Sequence, residues 1–463
     1  MSLVIETFRS SQTPWEVFQE VHASSRVCFF LDSPRHAPPD QVYSYIGTDP
    51  DLEVRLGEKV FCVEGELNGK YPAGELFPVL KRILKKYQIR VRSPYPFFAG
   101  GFVGYFGYET ADLCDKIKFR SKAMPLLPRL YLGLFRDVIV FDHRKKVYHL
   151  VTHSKGKTYG VRRAEKLKSY FVESSAKPAR YFKLKKFTAE MTKEQFKGMV
   201  EKAREYIAAG DIYQANLSQR FSFGYRGSSL ELYGRLRAIN PSPFSCFLKT
   251  GDLEIVSSSP ERLIRKKGRI CETRPIAGTC PARGSSRRLA DWRKNLLQNE
   301  KEKAEHLMLV DLERNDLGRV CDYRSVKVRE FMTLEKYSHV VHIVSRITGK
   351  LKKGKGALDV IRAMFPGGTI TGCPKIRCMQ IIDELEPVRR GVYTGSLGYI
   401  DLYGDMDLNI VIRTILLRNG RGCLQVGAGI VYDSDPEKEY EETLHKAEAL
   451  TQALAEASGR NGD

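Results

Sequence analysis

Short β-type runs recur along this chain without a regular helix–strand rhythm, and that pattern constrains the fold more than any other feature. Arg26-Val-Cys-Phe-Phe-Leu31, Tyr43-Ser-Tyr-Ile46, Leu132-Gly-Leu-Phe135 and Asp137-Val-Ile-Val-Phe141 are apolar runs of strand length. Farther on, Leu217, Gln219, Phe221 and Phe223 share one strand face, and Leu253-Glu-Ile-Val-Ser257 repeats the signal. Such runs predict an α+β fold, with large antiparallel β-sheets packed as a sandwich and helices around them. One helix is expected near Val161 to Phe171. Another follows a capping box at Thr192 and Gln195, where Phe196, Val200, Ala203 and Ile207 keep helical spacing until Gly210. Between them, the proline-containing stretch Ser174-Ser-Ala-Lys-Pro-Ala-Arg180 lacks periodicity and separates an N-terminal region, 1–180, from a second region, 185–455.

Composition excludes several classes. The 463 residues are 42% hydrophobic and 28% charged, a soluble globular balance. No run approaches the roughly 18 to 20 apolar residues that cross a bilayer, so no membrane role is expected. The start, Met1-Ser-Leu-Val-Ile-Glu-Thr-Phe-Arg9, lacks the basic and apolar segments of a signal peptide, which predicts a cytoplasmic protein. Ten cysteines without a C-x-x-C pair argue against a disulfide framework or a zinc ribbon. The net charge of +21 is spread in short groups rather than in an aromatic-interleaved stripe, so a basic surface that attracts small anions is expected, and nucleic acid is not. Gly100-Gly-Phe-Val-Gly-Tyr-Phe-Gly107 does not match a dinucleotide fingerprint and reads as close sheet packing.

The last third carries the chemistry. Phe365-Pro-Gly-Gly-Thr-Ile-Thr-Gly-Cys-Pro-Lys375 offers anion-binding backbone. On a helix spanning Asn299 to Asp316, Glu302, Glu305 and His306 fall on one side; near the C-terminus Glu439 and Glu442 repeat the spacing, with Lys446 a further turn along. Magnesium favours a few carboxylates, water and substrate oxygens, which two facing acidic helices supply. A solvated face is the plainer account of either helix alone. Gly427-Ala-Gly429 lies between apparent strands around Leu424 and Ile430, where glycine lets backbone N–H groups approach a carboxylate, although a tight turn explains it equally well. Arg413, inside the apolar run Asn409-Ile-Val-Ile-Arg-Thr-Ile415, needs a counter-charge, either a ligand or a structural partner.

Together these segments resemble the chorismate-utilising enzymes, specifically the large synthase subunits that make aminodeoxychorismate or anthranilate. The resemblance runs from Gly210-Asp-Ile-Tyr-Gln-Ala-Asn-Leu-Ser-Gln-Arg220 through Ser258-Ser-Pro-Glu-Arg262, Thr273-Arg-Pro-Ile-Ala-Gly-Thr279 and Val341-His-Ile-Val-Ser345 to Lys446. It is looser in the N-terminal half, at Phe30-Leu-Asp-Ser33, Tyr43-Ser-Tyr-Ile-Gly47 and Gly101 to Tyr108. It implies Mg2+ held by Glu305 and Glu442, with Glu302 and Glu439 assisting through water. It also implies that chorismate's carboxylates meet Tyr393, Arg413, the Gly427-Ala428-Gly429 backbone and a Gly278-Thr279 turn. His342, Glu261, Thr279 and Lys375 become the implied catalytic residues. Ammonia would come from a glutamine amidotransferase subunit, since no glutaminase segment is recognisable in the chain.

Tyr213-Gln-Ala-Asn-Leu217, Thr369 to Lys375 and Asp407-Leu-Asn-Ile410 look more like the aminodeoxychorismate branch. Ala277 points the other way, because many members of that branch carry a nucleophilic lysine there and alanine forms no covalent intermediate. Ser33 with Pro241-Ser242-Pro243 resembles the family's tryptophan-binding pocket.

Overall fold

The computed structural model describes residues 2–33, 42–89, 91, 93–120, 127–154, 156–171, 181–281, 300–336 and 340–459. The expected boundary at Ser174 to Arg180 therefore falls outside the described residues. Two twelve-stranded sheets dominate, and every pairing among the described residues is antiparallel. The first runs from Ser2–Phe8 at one edge through Val27–Asp32, Phe244–Thr250, Leu253–Ser259, Thr414–Arg418 and Arg421–Ile430 to Gln214–Gly227 and Phe182–Ala189. The second runs from Ile276–Pro281 through Val340–Lys350, Arg262–Lys267, Ser396–Asp401 and Gly101–Phe106 to Gly69–Pro72. This is the α+β sandwich the strand pattern predicts.

Alternation along single strands builds the layers. Val27 and Phe29 point into the apolar layer between the sheets, with Val103, Leu248 and Ile255, while Cys28 and Phe30 point to the opposite face. There they meet helices Pro14–Ser24 and Ser229–Ile239. On the far side of the second sheet, helices Leu76–Tyr87, Glu300–Val320 and Ala357–Met364 cover a separate core. The order is helix, sheet, sheet, helix. Gly104 shows why the run is glycine-rich, because a Cβ there would collide with the Tyr131 carbonyl on the neighbouring strand of the same sheet.

Both sequence regions contribute to both sheets. Val27–Asp32 pairs with Phe244–Thr250 in the first, and Gly101–Phe106 with Ser396–Asp401 in the second. The helix Lys193–Ala208 has the Thr192/Gln195 capping box its sequence predicts. The N-terminal region is less helix-poor than its runs suggest: Pro14–Ser24, with a capping box at Thr13 and Glu16, and Leu76–Tyr87 both pack amphipathic faces on sheets. The helix expected near Val161 to Phe171 spans Lys157–Lys168.

One expected strand is broken. Asn409 to Ile415 is not continuous: Met406–Asn409 ends in the second sheet and Thr414–Arg418 begins in the first. Arg413 lies in the crossing between them with φ +52°. That left-handed conformation is uncommon for a residue with a side chain, and it marks a position where surrounding structure outweighs local preference.

Candidate active site

The crossing at Arg413 opens a sheet edge. Arg421–Ile430 pairs with Thr414–Arg418 only as far as Leu424, opposite Ile415. Beyond that point its other edge stays paired with Gln214–Gly227, where Gly427 faces Ser218 and Gly429 faces Asn216. Gly427-Ala428-Gly429 is thus an extended strand segment and not a link between two strands, which corrects the expectation from sequence. Its glycines are needed for space: a Cβ on Gly427 would lie 2.6 Å from the Leu217 carbonyl oxygen, 2.8 Å from Asn216 Oδ1 and 2.9 Å from the Tyr393 hydroxyl. One on Gly429 would lie 2.6 Å from Gln214 Nε2 and 3.7 Å from Glu305 Oε1. Ala428 is fully buried on the opposite face, with Phe196 and Val200, so it meets a ligand only through its backbone.

The Arg413 guanidinium makes no hydrogen bond or ion pair among the described residues. Burial lowers its pKa, opposed by Tyr393, Glu261 and Glu442, which lie within electrostatic reach. Arg413 is half-buried, and a partly desolvated cation without a bonded counter-ion is unfavourable. Asn216 Oδ1 is likewise buried without a partner and sits against the same glycine.

Carboxylates flank both ends of the glycine segment. Glu305, on the helix Glu300–Val320, accepts a 2.8 Å hydrogen bond from Gln214 Nε2 beside Gly429. Glu442, on the helix Pro436–Ala457, pairs with Lys446 at 2.5 Å, and Lys446 Nζ donates to the Gly427 carbonyl at 3.1 Å. Glu439 is buried and accepts from Ser434 Oγ at 2.6 Å. The side chains of Glu302 and Thr279 lie outside the described residues. Among the described residues no three His, Cys, Asp or Glu side chains converge as a metal cage. Magnesium does not ask for one: one or two carboxylates with water and substrate oxygens suffice, and Glu305 with Glu442 at the two ends of an anion-binding edge fit that donor set.

The opposite wall comes from the second sheet. Gly278 has φ +59° at a bulge in Ile276–Pro281, where the register against Val340–Lys350 shifts between Ala277 and Thr279. The expected turn is this bulge. His342, across from it, bonds through Nδ1 to the Gly278 carbonyl at 3.2 Å. Burial holds its pKa down to about 4, helped by the Arg413 charge, so the imidazole is neutral and its Nδ1 carries the hydrogen. Glu261 links Leu253–Ser259 to Arg262–Lys267 and is buried. Burial pushes its carboxyl up to about 8 against the pull of Thr369, Arg413 and the Ile276 N–H, with Glu313 adding to the rise. Lys375 points away from solvent into an ion pair with Asp316 and donates to the Met364 carbonyl at 3.1 Å. Gln214, Asn216, Glu313 and Thr369 also belong to this region, and no spacing rule singled them out.

Of the pocket expected around Ser33 and Pro241 to Pro243, Ser33 and Pro243 line a cavity of ≈ 370 Å³ with Tyr43, Tyr45, Arg265 and Asp407. Pro241 is not among its lining residues; Ser242 is buried beside it and accepts from Ser245 Oγ at 2.8 Å. No helix among the described residues is long and apolar enough to cross a membrane.

The chain has clear relatives among known proteins. The sequence profile of the chorismate binding enzyme family matches residues 26–452. The chain is 42% identical to aminodeoxychorismate synthase component 1 of Bacillus subtilis, over 89% of each protein. It is 39% identical to anthranilate synthase component 1 of Aquifex aeolicus, over 98% of this chain and 94% of that one. The crystal structure of anthranilate synthase component I from Streptococcus pneumoniae superposes with a TM-score of 0.80 at 34% identity, covering 91% of this chain and 93% of that one. The menaquinone-specific isochorismate synthase of Escherichia coli shares the fold, with a TM-score of 0.73 at 17% identity over 98% and 94% of the two chains. With this match over most of its length and relatives of this identity, the chain belongs to the chorismate binding enzyme family and is a chorismate-utilising enzyme.

Proposed function

We propose that this chain aminates chorismate at C4 to give 4-amino-4-deoxychorismate, using ammonia delivered by a glutamine amidotransferase subunit and a magnesium ion. The observation that carries the reading is Arg413, a half-buried arginine without a hydrogen-bonded protein partner at an open glycine edge. Similarity to the Bacillus subtilis aminodeoxychorismate synthase component favours this product.

In this reading Arg413 and Tyr393 bind one carboxylate of chorismate, and the Gly427 to Gly429 backbone receives it without a side chain in the way. Glu305 and Glu442 would hold the metal, and Gln214 orients Glu305 through its 2.8 Å hydrogen bond. Bound there, Mg2+ would act as a Lewis acid on the ring carboxylate and fix its orientation. Glu261, a carboxyl that keeps its proton near neutral pH, is the acid facing the departing C4 hydroxyl. Neutral His342, tied to Gly278, positions the ring against the bulge.

A second reading has its own support. Ala277 is buried where a nucleophilic lysine would stand, and the similarity to anthranilate synthases is nearly as high. C4 amination with retained stereochemistry needs two displacements, so without a lysine the first nucleophile is ammonia at C2. If pyruvate is eliminated from that 2-amino intermediate, the product is anthranilate. Incubation with chorismate, Mg2+ and ammonium, followed by chromatography with and without aminodeoxychorismate lyase, separates the two. Para-aminobenzoate that requires the lyase supports the proposal. Anthranilate and pyruvate formed without it overturn the proposal in favour of the second reading.

A further inference from the structure

Arg390, behind the glycine edge, is the reverse of Arg413: its guanidinium is fully engaged by protein atoms. The strand Gln214–Gly227 pairs along one side with Arg421–Ile430, from Ala215 opposite Ile430 to Gly224 opposite Arg421. Its other side is covered only at two ends, by Gly372–Cys373 against Gln214 and Ala215 and by Phe182–Ala189 from Phe221 onward. In the gap between them two side chains take the place of a strand. Arg390 Nη2 donates to the Asn216 carbonyl. Glu386 Oε1 accepts from the Ser218 N–H at 2.8 Å and from Ser218 Oγ at 2.7 Å. Asn216 gives its own N–H to the Thr371 carbonyl at 3.0 Å.

Arg390 and Glu386 form a forked ion pair, with Nε to Oε2 at 3.0 Å and Nη2 to Oε1 at 2.7 Å. Nη1 donates to the Ile370 carbonyl at 2.8 Å and to Thr394 Oγ1 at 3.3 Å. Together with the Asn216 bond these use all the hydrogens that a guanidinium carries. The group lies 4.8 Å from the centre of the Tyr108 ring and 5.8 Å from that of Tyr393. Both members of the pair are buried. Because Asn216 and Ser218 turn their backbone groups toward this pair, the residues opposite them, Gly429 and Gly427, turn theirs the other way, toward the open edge. There the Gly427 carbonyl meets Lys446. The side chain of Asn216 and the hydroxyl of Tyr393 close on one point above Gly427. A buried ion pair adds little net stability to a fold, and the partners of this one stand next to the groups that would hold chorismate.

We propose that Arg390 is a positioning residue for chorismate: with Glu386 it stands in for a strand beside Asn216 and Ser218, and so holds the Gly427 and Gly429 backbone and the Tyr393 ring in the geometry that receives a carboxylate. The inference rests on the chorismate reading above. Arg390 itself touches no substrate, since its donors are all spent on protein acceptors. The edge and Tyr393 hold the carboxylate before and during the reaction alike, so misalignment weakens ground state and transition state equally and appears in KM. Lysine cannot take over the task. Its compact charge can still pair with Glu386, but it has no planar fork to span Asn216, Ile370 and Thr394.

Steady-state chorismate consumption by the full chain, at saturating Mg2+ and ammonium, tests this. Arg390→Lys should raise KM for chorismate about 10- to 100-fold and leave kcat within about threefold of wild type. The double variant Arg390→Gln with Glu386→Gln removes both charges, so no unpaired ion is left in the interior. It should raise KM to a similar extent, and it carries the test if Arg390→Lys does not fold. A pair that only stabilises the fold would lower the active fraction, and with it the apparent kcat, at an unchanged KM. That result in a folded variant overturns the positioning role. Arg413→Met, measured alongside, tells failure of this inference from failure of the reading beneath it. If Arg413→Met lowers kcat/KM while the Arg390 variants keep the wild-type KM, the role of Arg390 alone is overturned. If kcat/KM withstands Arg413→Met as well, the binding of chorismate at this edge is overturned, and the role of Arg390 with it.

Discussion

Replacing Arg413 by Met should separate binding from stability in a way an ordinary buried ion pair does not. Removing one member of a desolvated charge pair costs about 3–5 kcal/mol. At about 1.36 kcal/mol per decade this is roughly 10²- to 10⁴-fold in kcat/KM, and here the pair exists only with the substrate carboxylate bound. The free enzyme loses nothing comparable, since the guanidinium has no hydrogen-bond partner to abandon and its partial burial is itself unfavourable. Arg413→Met should therefore melt at or above the wild-type temperature while ammonium-dependent chorismate consumption falls by at least about 100-fold. Arg413→Gly should add to the stability, because glycine relieves a left-handed conformation that costs other residues about 1 kcal/mol. Thermal melting and steady-state kinetics on the same samples check both halves. A variant that keeps activity within about threefold of wild type, or that loses both activity and several degrees of melting temperature, would refute the argument that the charge awaits a ligand.

Gln214→Ala frees Glu305 from its 2.8 Å hydrogen bond and should raise the Mg2+ concentration for half-maximal activity by about 10- to 100-fold, with kcat at saturating metal changed less; an unchanged titration separates Glu305 from the metal. Glu261 has a folded pKa raised to about 8, above its unfolded value near 4.5, so its contribution to stability is fullest below the unfolded value and is lost as pH rises through about 8. Glu261→Gln has no such loss, and its melting temperature should exceed that of wild type by about 2 °C or more at about pH 9 and not at about pH 5; a gain of equal size at both values disproves the linkage. The ≈ 370 Å³ cavity beside Ser33 and Pro243 should admit tryptophan. Tryptophan at about 100 times its dissociation constant stabilises by about 2.7 kcal/mol, and calorimetric titration without heat, together with an unmoved melting curve, excludes it.

Much of the fold was legible because its signals are local. Alternation in Val27–Asp32 and Gln214–Gly227 needs only neighbouring residues, and the capping box at Thr192 and Gln195 spans one turn. Arg413 was legible as a charge in an apolar run. Its position in a crossing between sheets was not, because the run Ile410-Val-Ile412 is as apolar as any strand and only the pairing of Leu408 with one sheet and Ile415 with the other breaks it. Gly427 to Gly429 suggested a close approach, and in the structure it is one of protein atoms. The reason for it depends on Tyr393 and Asn216, which stand far away in sequence. Glu313 was hidden for a similar reason: on its helix it reads as one more surface acid, and its burial follows from Gly368 and Thr273 closing over it.

The sharing of both sheets by the two halves of the sequence sets an order of events at birth. Val27–Asp32 pairs one edge with Tyr43–Thr48 but cannot fill the other until Phe244–Thr250 has been made, and the second edge of Gly101–Phe106 waits for Ser396–Asp401. At ordinary synthesis rates of about 5–20 residues per second the delay is on the order of tens of seconds. Throughout it, two apolar strands present unpaired edges, a template for pairing with another nascent chain. A fragment ending near residue 185 should therefore aggregate when expressed alone, and co-expressing residues 185–463 should restore soluble material only if the second half arrives before the edges of the first find each other.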